Sequence, residues 1–374
     1  MVLRKLDPKE HGKTRLLWEK VFPEDTGKFL DYYYFVKARD NEIYVVEEDE
    51  NIRSMLQLNP YLLQVEEEQF LCHYIIAVGT EAPYRKRGYM RQLLYSAMED
   101  MYRRKEPFTF LMPAAEAIYT PFDFRFIYRQ PVAEPEGDRG EMKAELRDAK
   151  FTDAEEMAAF FAGNFARDYQ VYAVRDGSYY QTMILEYGSE NGGICLMEDD
   201  GAICGMFFYA REGKLEIREP LYLPGYRGEF LKAVRRLCGD GKVPAVVYSC
   251  EGSLSKDRKP LIMARILHLE SLLGAMKVKP GMKIACSFAV IDPILVKNSR
   301  VWRIETDGRS ENLCVRETED SEGVLPIAAL TSLLFGYRTI EEIRKEEGII
   351  LTSHLEQELK KLRTLSRVFL NEIV

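Results

Sequence analysis

The sequence contains no long hydrophobic run. None of its apolar stretches approaches about 18 residues, the length that a membrane-spanning helix requires, so we expect no membrane span and no membrane partner. The first ten residues, MVLRKLDPKE, also lack the apolar core of a secretory signal peptide. These two absences predict a cytoplasmic protein.

Histidine is scarce, and no two cysteines form a CxxC pair. The chain has 4 histidines, which lie far apart, and 7 cysteines. Structural zinc sites usually place such residues at short, regular spacings, so we expect no metal site. We interpret the cysteines as buried free thiols in a reducing compartment.

Basic residues are fewer than acidic ones. Lysine and arginine total 52, aspartate and glutamate total 60, and the net charge is −8. A general nucleic-acid-binding protein needs a basic face, so we expect no nucleic-acid partner. The acidic balance would suit a cationic substrate, although it is common among soluble proteins.

Two frequent nucleotide-binding patterns are missing as well. Neither the P-loop pattern GxxxxGK[ST] nor the pattern GxGxxG occurs. The composition is that of a globular protein, with 46% hydrophobic and 30% charged residues. A chain of 374 residues usually forms two or three domains.

The first third of the chain has the pattern of a β-meander followed by a helix. Its predicted elements are a helix at 14–22, strands at 43–46, 52–65 and 70–80, a helix at 89–104, a strand at 108–112 and a short helix ending near Tyr119. In the helix at 89–104, apolar residues recur every three or four positions, as a buried helix face requires.

Residues 130–140 (QPVAEPEGDRG) are rich in proline, glycine and acids, which predicts a linker and a domain boundary. A second α/β region follows, and a third is predicted to begin near residue 283. The elements predicted there are helices at 153–165 and 229–238, strands at 194–197, 202–210 and 245–249, then strands at 284–290 and 301–306 and helices at 326–335 and 351–365.

The most informative segment joins the third strand to the helix at 89–104, and it reads TEAPYRKRGYM. The first N–H groups of a helix have no intrahelical partners, and the helix dipole adds positive charge there, so such a junction favours anions. Arg85, Lys86 and Arg87 add full charges, and Gly88 allows a phosphate to approach the backbone closely. We therefore predict a pyrophosphate site at this junction.

The same loop resembles the pyrophosphate-binding motif of the GCN5-related N-acetyltransferases, R/Q-x-x-G-x-G/A. Here it reads RKRGYM at 85–90, with Met90 in place of the last small residue. In having a large residue at that position, the loop resembles that of the enhanced-intracellular-survival (Eis) branch of the superfamily. A second stretch, AEAIYTPFDF at 115–124, resembles the superfamily's A-x-x-x-Y-x-x-x-G-F segment, with Asp123 in place of the glycine.

The resemblance to the Eis branch implies an α/β (α+β) fold in three regions. Residues 1–134 would form an acetyl-CoA-binding N-acetyltransferase domain around a mixed, mostly antiparallel central sheet. Residues 141–282 would form a degenerate second copy, in which LPGYRG at 223–228 resembles the first loop. Residues 283–374 would form a sterol-carrier-like α+β domain whose C-terminal tail reaches the active site. The resemblance also implies a homo-oligomer, a hexamer.

The resemblance further implies residue roles, with acetyl-CoA as the co-substrate. Backbone groups of Val78 and Thr80 would bind its pantetheine arm. Tyr119 would protonate the departing CoA thiolate; a phenol, with a reference pKa of about 10, and a thiol, at about 8.5, titrate in the same range. The pyrophosphate would be held by Arg85, Lys86, Arg87, Gly88, Tyr89 and Met90.

Several groups are candidates for the general base. The resemblance assigns it to the terminal α-carboxylate, here that of Val374. The apolar ending FLNEIV is typical of a docked tail, because disordered ends are more often polar. His73, Glu81 and Glu116 are the alternatives.

These features predict an acetyl-CoA-dependent N-acetyltransferase that acts on amines of a small, polycationic acceptor, such as an aminoglycoside, a polyamine or a lysine-like amine. The alternative is a non-catalytic protein that binds CoA or an apolar ligand on the same scaffold. The sequence leaves the length of the acyl chain open.

Overall fold

A computed structural model of the chain describes residues 1–135, 140–212, 214–239, 243–249, 257–306 and 310–372. The elements of the first third are β1 (Val2–Lys5), α1 (Arg15–Val21), α2 (Gly27–Phe35), β2 (Glu42–Glu48), β3 (Asn51–Val65), β4 (Glu68–Thr80), α3 (Tyr89–Arg103), β5 (Phe108–Leu111), α4 (Glu116–Tyr119) and β6 (Arg125–Phe126).

The middle region has a similar succession of strands and helices. Its elements are β7 (Arg129–Ala133), β8 (Glu145–Asp148), α5 (Ala154–Asn164), β9 (Val171–Ala173), α6 (Gly177–Ser189), β10 (Gly193–Asp199), β11 (Ala202–Glu212), β12 (Lys214–Tyr222), α7 (Arg227–Leu237), β13 (Ala245–Tyr248), β14 (Asp257–Pro260) and β15 (Met263–Ile266).

The last third is a smaller α+β unit followed by a tail. Its elements are α8 (Leu269–Ala275), β16 (Lys277–Val278), β17 (Ala285–Ile291), β18 (Val301–Thr306), β19 (Leu313–Thr318), β20 (Gly323–Pro326), α9 (Ile327–Leu334), α10 (Ile340–Ile343), β21 (Ile350–Leu351), α11 (Ser353–Leu359), β22 (Leu362–Arg363) and β23 (Val368–Phe369).

The first sheet has the strand order β1-β2-β3-β4-β5-β15-β6. Neighbours in this order are antiparallel except for β4 and β5, which are joined by the crossover helix α3 and run parallel. One side of α3 is buried against the strands, through Leu93, Leu94, Ala97, Met98 and Met101. The buried face that the sequence predicts for this helix is therefore confirmed.

The second sheet repeats this plan, with the order β14-β7-β13-β12-β11-β10-β8. Helix α7 connects β12 to its parallel neighbour β13, as α3 connects β4 to β5. The two sheets also exchange strands. β7 follows the first set of strands in the chain but pairs with β13, whereas β15 follows the second set but lies between β5 and β6.

The last third has its own sheet, β19-β18-β17-β20-β21. Its final strand, β23, leaves this unit and runs parallel to β9, which in turn pairs with β3 of the first sheet. The C-terminal tail is therefore joined to the first sheet through β9.

Several predictions of local structure need correction. Residues 130–133, predicted as the start of a linker, lie in β7. The helix predicted at 351–365 spans only Ser353–Leu359, because Leu362 and Leu365 turn inward in an extended segment that pairs with β16. The predicted boundary at residue 134 lies one residue after β7, and the one at residue 282 lies after α8 and β16.

Most of the cysteines are the buried free thiols that the sequence predicts: Cys72, Cys195, Cys204, Cys238 and Cys286. Cys314 is free but exposed, and Cys250 lies outside the described residues. Within the described part of the chain, no helix is both long enough and apolar enough to cross a membrane.

Candidate active site

A cleft opens where two parallel strands separate. Tyr74 and Phe110 are the one registered pair between β4 and β5, both of which are fully described. Past this pair the strands diverge, and residues 75–80 of β4 line a cavity of about 820 Å³. Small-molecule sites commonly occupy about 300–1,000 Å³, so the cavity is large enough for a substrate-sized ligand.

A β-bulge interrupts β4 beside this cavity. Ala77 has a φ of 51°, in the left-handed region, and the pairing of β3 with β4 shifts between Met55 and Gln57. Ala77 and Val78 have no registered partner on β3, and both line the cavity. Since a bulge leaves backbone groups outside the ladder, the peptide groups around Val78 can bind a ligand.

The cavity also reaches the junction between β4 and α3. Gly88 is the N-cap of α3 with a φ of 84°, and no described side chain caps the helix. The first regular helical bond is donated by Gln92 to the Gly88 carbonyl, so the amides of Tyr89 to Arg91 are left for an anion. A Cβ at position 88 would meet no atom within 4 Å, so the space beside Gly88 is open.

Most of the residues predicted to bind the cofactor line this one cavity: Val78, Thr80, Arg85, Lys86, Gly88, Tyr89 and Met90. Arg87 is outside the lining. Its guanidinium lies 3.4 Å from the Glu48 carboxylate and 4.7 Å from the centre of the Tyr84 ring. Three consecutive basic side chains cannot all face the same way, and the sequence alone does not show which of them turns aside.

Tyr119 brings a phenol to the same cavity from the end of α4. Only 8% of the residue is exposed, and its ring packs edge-on against Phe124 at a centroid distance of 5.9 Å. Burial raises the pKa of Tyr119 to about 12, since an apolar environment disfavours the phenolate. The hydroxyl is therefore a proton donor at neutral pH.

The backbone explains why an aspartate can stand near Tyr119 where the resembling segment has glycine. Asp123 has a φ of 64° at the end of the short 3-10 turn that follows α4. Glycine adopts this left-handed conformation without strain, and aspartate tolerates it better than most residues. The substitution therefore keeps the local geometry that the motif requires.

The alternative bases do not line the cavity. His73 precedes Tyr74 on β4, so its side chain points to the opposite face of the sheet. There it is buried, with Nδ1 2.9 Å from Oε1 of Glu106. Glu116 is exposed at the start of α4 and is also outside the lining.

Glu81 is held in ion pairs just beyond the end of β4. Its carboxylate lies 2.6 Å from Arg53 and 3.1 Å from Lys20. Hydrogen bonds from these two cations lower its pKa, which makes it a poor proton acceptor at neutral pH. Val374, whose terminal carboxylate is the other predicted base, lies outside the described residues.

The tail that leads to Val374 is nonetheless well anchored. Phe369 stacks on Tyr169 at a centroid distance of 4.4 Å. The Tyr128 hydroxyl donates to the Leu370 carbonyl. Both aromatic contacts and hydrogen bonds therefore fix the path of the chain up to residue 370.

The next two residues are held by buried polar groups. Oδ1 of Asn371 accepts hydrogen bonds from Gln130 at 2.8 Å and from Ser249 at 2.7 Å. The Glu372 carboxylate accepts one from Tyr179 at 2.9 Å and lies 3.5 Å from the Arg175 guanidinium. Burial raises the pKa of Glu372, whereas the charge of Arg175 acts in the opposite direction.

Asn371 also borders a second cavity, of about 210 Å³, together with Gln130, Arg218 and Tyr248. Met112 lines both this cavity and the one that contains Tyr119. The tail is thus one wall of a space adjoining the candidate site for the thioester. Sequence reasoning missed this space, because its walls come from segments spread along the chain from Met112 to Asn371.

Comparison with protein families identifies the first region. The family model described as the acetyltransferase (GNAT) domain matches residues 2–127. The chain carries a GNAT domain. This GNAT domain supports an acyltransferase, as the sequence predicts. A second model, the sterol carrier protein domain, matches residues 269–373, whereas a search of curated proteins finds no match.

Solved structures with a GNAT-type fold resemble nearly the whole chain. A probable N-acyltransferase of unknown function from Enterococcus faecalis V583 is 18% identical, with a TM-score of 0.80, and the match covers 98% of this chain and 96% of that one. A GCN5-related N-acetyltransferase from Anabaena variabilis is 15% identical, with a TM-score of 0.78 and coverage of 99% and 98%. Eis1 from Mycobacterium abscessus is 14% identical, with a TM-score of 0.70 and complete coverage of both chains. These similarities confirm the predicted fold.

Proposed function

We propose that the protein transfers the acetyl group of acetyl-CoA to an amine of a small acceptor. One observation carries this proposal: the uncapped start of α3, the basic residues Arg85 and Lys86, and the Tyr119 phenol all line one cavity. The first two features suit the pyrophosphate of CoA, and the third suits its departing sulfur. In the proposed complex, the bulge at Val78 and the end of β4 at Thr80 bind the pantetheine arm.

The proposed base is the terminal carboxylate of Val374. Support comes from the anchored tail, which borders the space beside the Tyr119 cavity through Asn371. The alternative bases His73 and Glu81 are engaged by Glu106 and by Arg53, respectively. A residue added after Val374 would move this carboxylate away, so a protein with an appended C-terminal tag should fold normally and lose its activity.

The acceptor class is proposed from net charge and from the family resemblance. The net charge of −8 and the Eis resemblance both favour a polycation, such as a polyamine, an aminoglycoside or a lysine-like amine. The cytoplasmic location and the hexamer stay predictions. Light scattering on the purified protein would measure its oligomeric state.

Binding and turnover test the proposal separately. Desulfo-CoA at 100 times its Kd should raise the free energy of unfolding by about 2.7 kcal/mol. The double variant R85Q/K86Q should bind it at least about tenfold more weakly, because hydrogen bonds to charged groups contribute about 1.5–3 kcal/mol. R103Q, which removes an exposed arginine at the far end of α3, is the matched control and should bind as wild type.

Turnover is measured as thiol release from acetyl-CoA with untagged protein and a panel of amines. Release that depends on one class of amine supports the proposal and identifies the acceptor. Binding of desulfo-CoA without thiol release on any amine would instead support the non-catalytic alternative. Failure to bind desulfo-CoA would contradict the transferase and a CoA-binding role alike, and would leave only a protein that binds an apolar ligand.

A further inference from the structure

A third cavity, of about 430 Å³, lies where the C-terminal tail meets the middle and last regions of the chain. Its lining includes residues 366–369 and Asn371 of the tail. Arg129 of β7 and Arg258 of β14 contribute from the second sheet, and Tyr337 contributes from the turn after α9. The cavity shares no lining residue with the one that contains Arg85 and Tyr119.

Positive charge dominates this cavity. Arg129, Arg258 and Arg367 line it, against a single carboxylate, that of Asp168. Within the described part of the chain, none of the three guanidiniums lies within 4.0 Å of a carboxylate, although many other arginines of the protein form such pairs. Three cations around one concave surface repel each other, and a bound anion would relieve that repulsion.

Neutral groups complete the site. The Arg129 guanidinium lies 4.9 Å from the centre of the Tyr337 ring, which holds the cation at the rim of the cavity. Ser249 and Ser366 also line the cavity. Asn371 is nine-tenths buried, and its Nδ2 has no hydrogen-bond partner among the described residues. An unused buried donor costs free energy unless a ligand or water accepts from it.

We propose that this cavity binds a small, multiply charged anion, such as a phosphorylated or polycarboxylated metabolite. Guanidinium groups bind phosphates and carboxylates through paired N–H donors. Since Arg367 and Asn371 belong to the tail, whereas Arg129 and Arg258 belong to the second sheet, the anion fastens the tail to the middle region. The site is independent of acetyl-CoA binding and does not require the proposed transferase activity.

Isothermal titration of the full chain tests the site, with pyrophosphate and citrate as probes at constant ionic strength. CoA is added first at saturation, so that the loop around Arg85 is filled. At least one probe should bind saturably, and R129Q, R258Q and R367Q should each weaken it about tenfold, because each removes a charge-assisted hydrogen bond. R316Q, which removes an exposed arginine of β19, is the matched control and should bind as wild type.

Hydrogen exchange locates the probe without any variant. Amides of the tail from Val368 to Glu372 should exchange more slowly when the probe is bound. Absence of saturable binding by both probes would overturn the proposal, as would binding that all three arginine variants leave unchanged. If the protein does not bind CoA, the same titration is run on R85Q/K86Q, so that failure of the donor site and failure of the anion site are distinguished.

Discussion

The Tyr119 hydroxyl shows how burial sets the role of a single residue. Its raised pKa, about 12, makes the phenol a weaker acid than a free tyrosine. The same desolvation disfavours a thiolate in the same cavity. The pKa of the thiol therefore rises together with that of the phenol, and the phenol can still transfer its proton to the thiolate. The environment therefore matches the acid to the leaving group that we propose for it.

Tyr119→Phe should lower kcat by about 10²- to 10⁴-fold, because general acid catalysis typically contributes that much. Acetyl-CoA affinity should change little, since the ring remains. The wild-type phenol stays protonated below a pH of about 12, so it should cause no loss of kcat between pH 7 and pH 10. Steady-state kinetics with a saturating amine measures both effects, and unchanged turnover in the variant would remove the acid role.

Asp123→Gly should stabilise the protein by about 1 kcal/mol, because it relieves a left-handed φ and removes a buried carboxylate oxygen that has no hydrogen bond among the described residues. Burial raises the pKa of Asp123, so its charge costs stability as the pH rises above the unfolded value of 3.8. The gain should therefore be larger at pH 7 than at pH 3.

Asp123→Asn, which tolerates the left-handed φ but removes the charge, should have a Tm between those of wild type and the glycine variant. A lower Tm for the glycine variant would show that the attraction to Arg265, 4.0 Å away, is the larger effect.

At the scale of elements, a buried polar contact joins the first region to the second where α2 packs on α6. The Tyr32 hydroxyl of α2 donates to Glu186 of α6 at 2.9 Å. Burial raises the pKa of Glu186 from 4.5 to about 7, although Lys37 and Tyr32 act in the opposite direction. The carboxyl group is thus largely protonated in the folded state at pH 6.

Glu186→Gln should change how stability depends on pH. Between pH 4.5 and about 7 the native wild type keeps a proton that the unfolded chain has lost, so its stability falls as the pH rises through this range. The glutamine variant lacks this fall, and its stability relative to wild type should increase by up to about 3 kcal/mol from pH 4.5 to pH 8. Urea unfolding at several pH values measures the difference. E156Q, which removes an exposed carboxylate from α5, should keep the wild-type dependence, and an identical dependence in E186Q would contradict the assignment.

Local sequence patterns predicted the strand, loop and helix that form the proposed acetyl-CoA site. The loop at 85–88 and the helix after it are contiguous in the chain, and the apolar spacing of α3 fixes which side is buried, so the junction could be predicted. The positions of Arg87 and Asn371 could not, because they depend on Glu48 and on Gln130, which are distant in sequence. Strand β15 has four residues and no alternation of polar and apolar positions, and its partner β5 lies about 150 residues earlier.

For the molecule as a whole, the exchange of strands makes the first two regions one folding unit. All four residues of β15 are buried between β5 and β6 of the first sheet. Without β15, strand β5 becomes an open, apolar edge, and such edges favour aggregation. The GNAT domain that the family model outlines at 2–127 is therefore structurally incomplete.

A fragment of residues 1–134 should fail to unfold cooperatively and should aggregate, because it lacks β15, β9 and β23. Co-expression with residues 135–374 should restore a complex with the thermal transition of the intact chain. Calorimetry of the fragment, of the complex and of the full chain checks this. A fragment that shows a sharp transition by itself would mean that β15 adds little to the first sheet.

The position of β15 in the chain also delays completion of the first sheet during synthesis. The ribosome makes β5 at residues 108–111 and reaches residue 266 only after about 150 further peptide bonds. At a synthesis rate of about 5–20 residues per second, strand β5 lacks its neighbour β15 for roughly 8–30 s. During that interval the growing chain exposes a strand on which a chaperone, or another nascent copy, can dock.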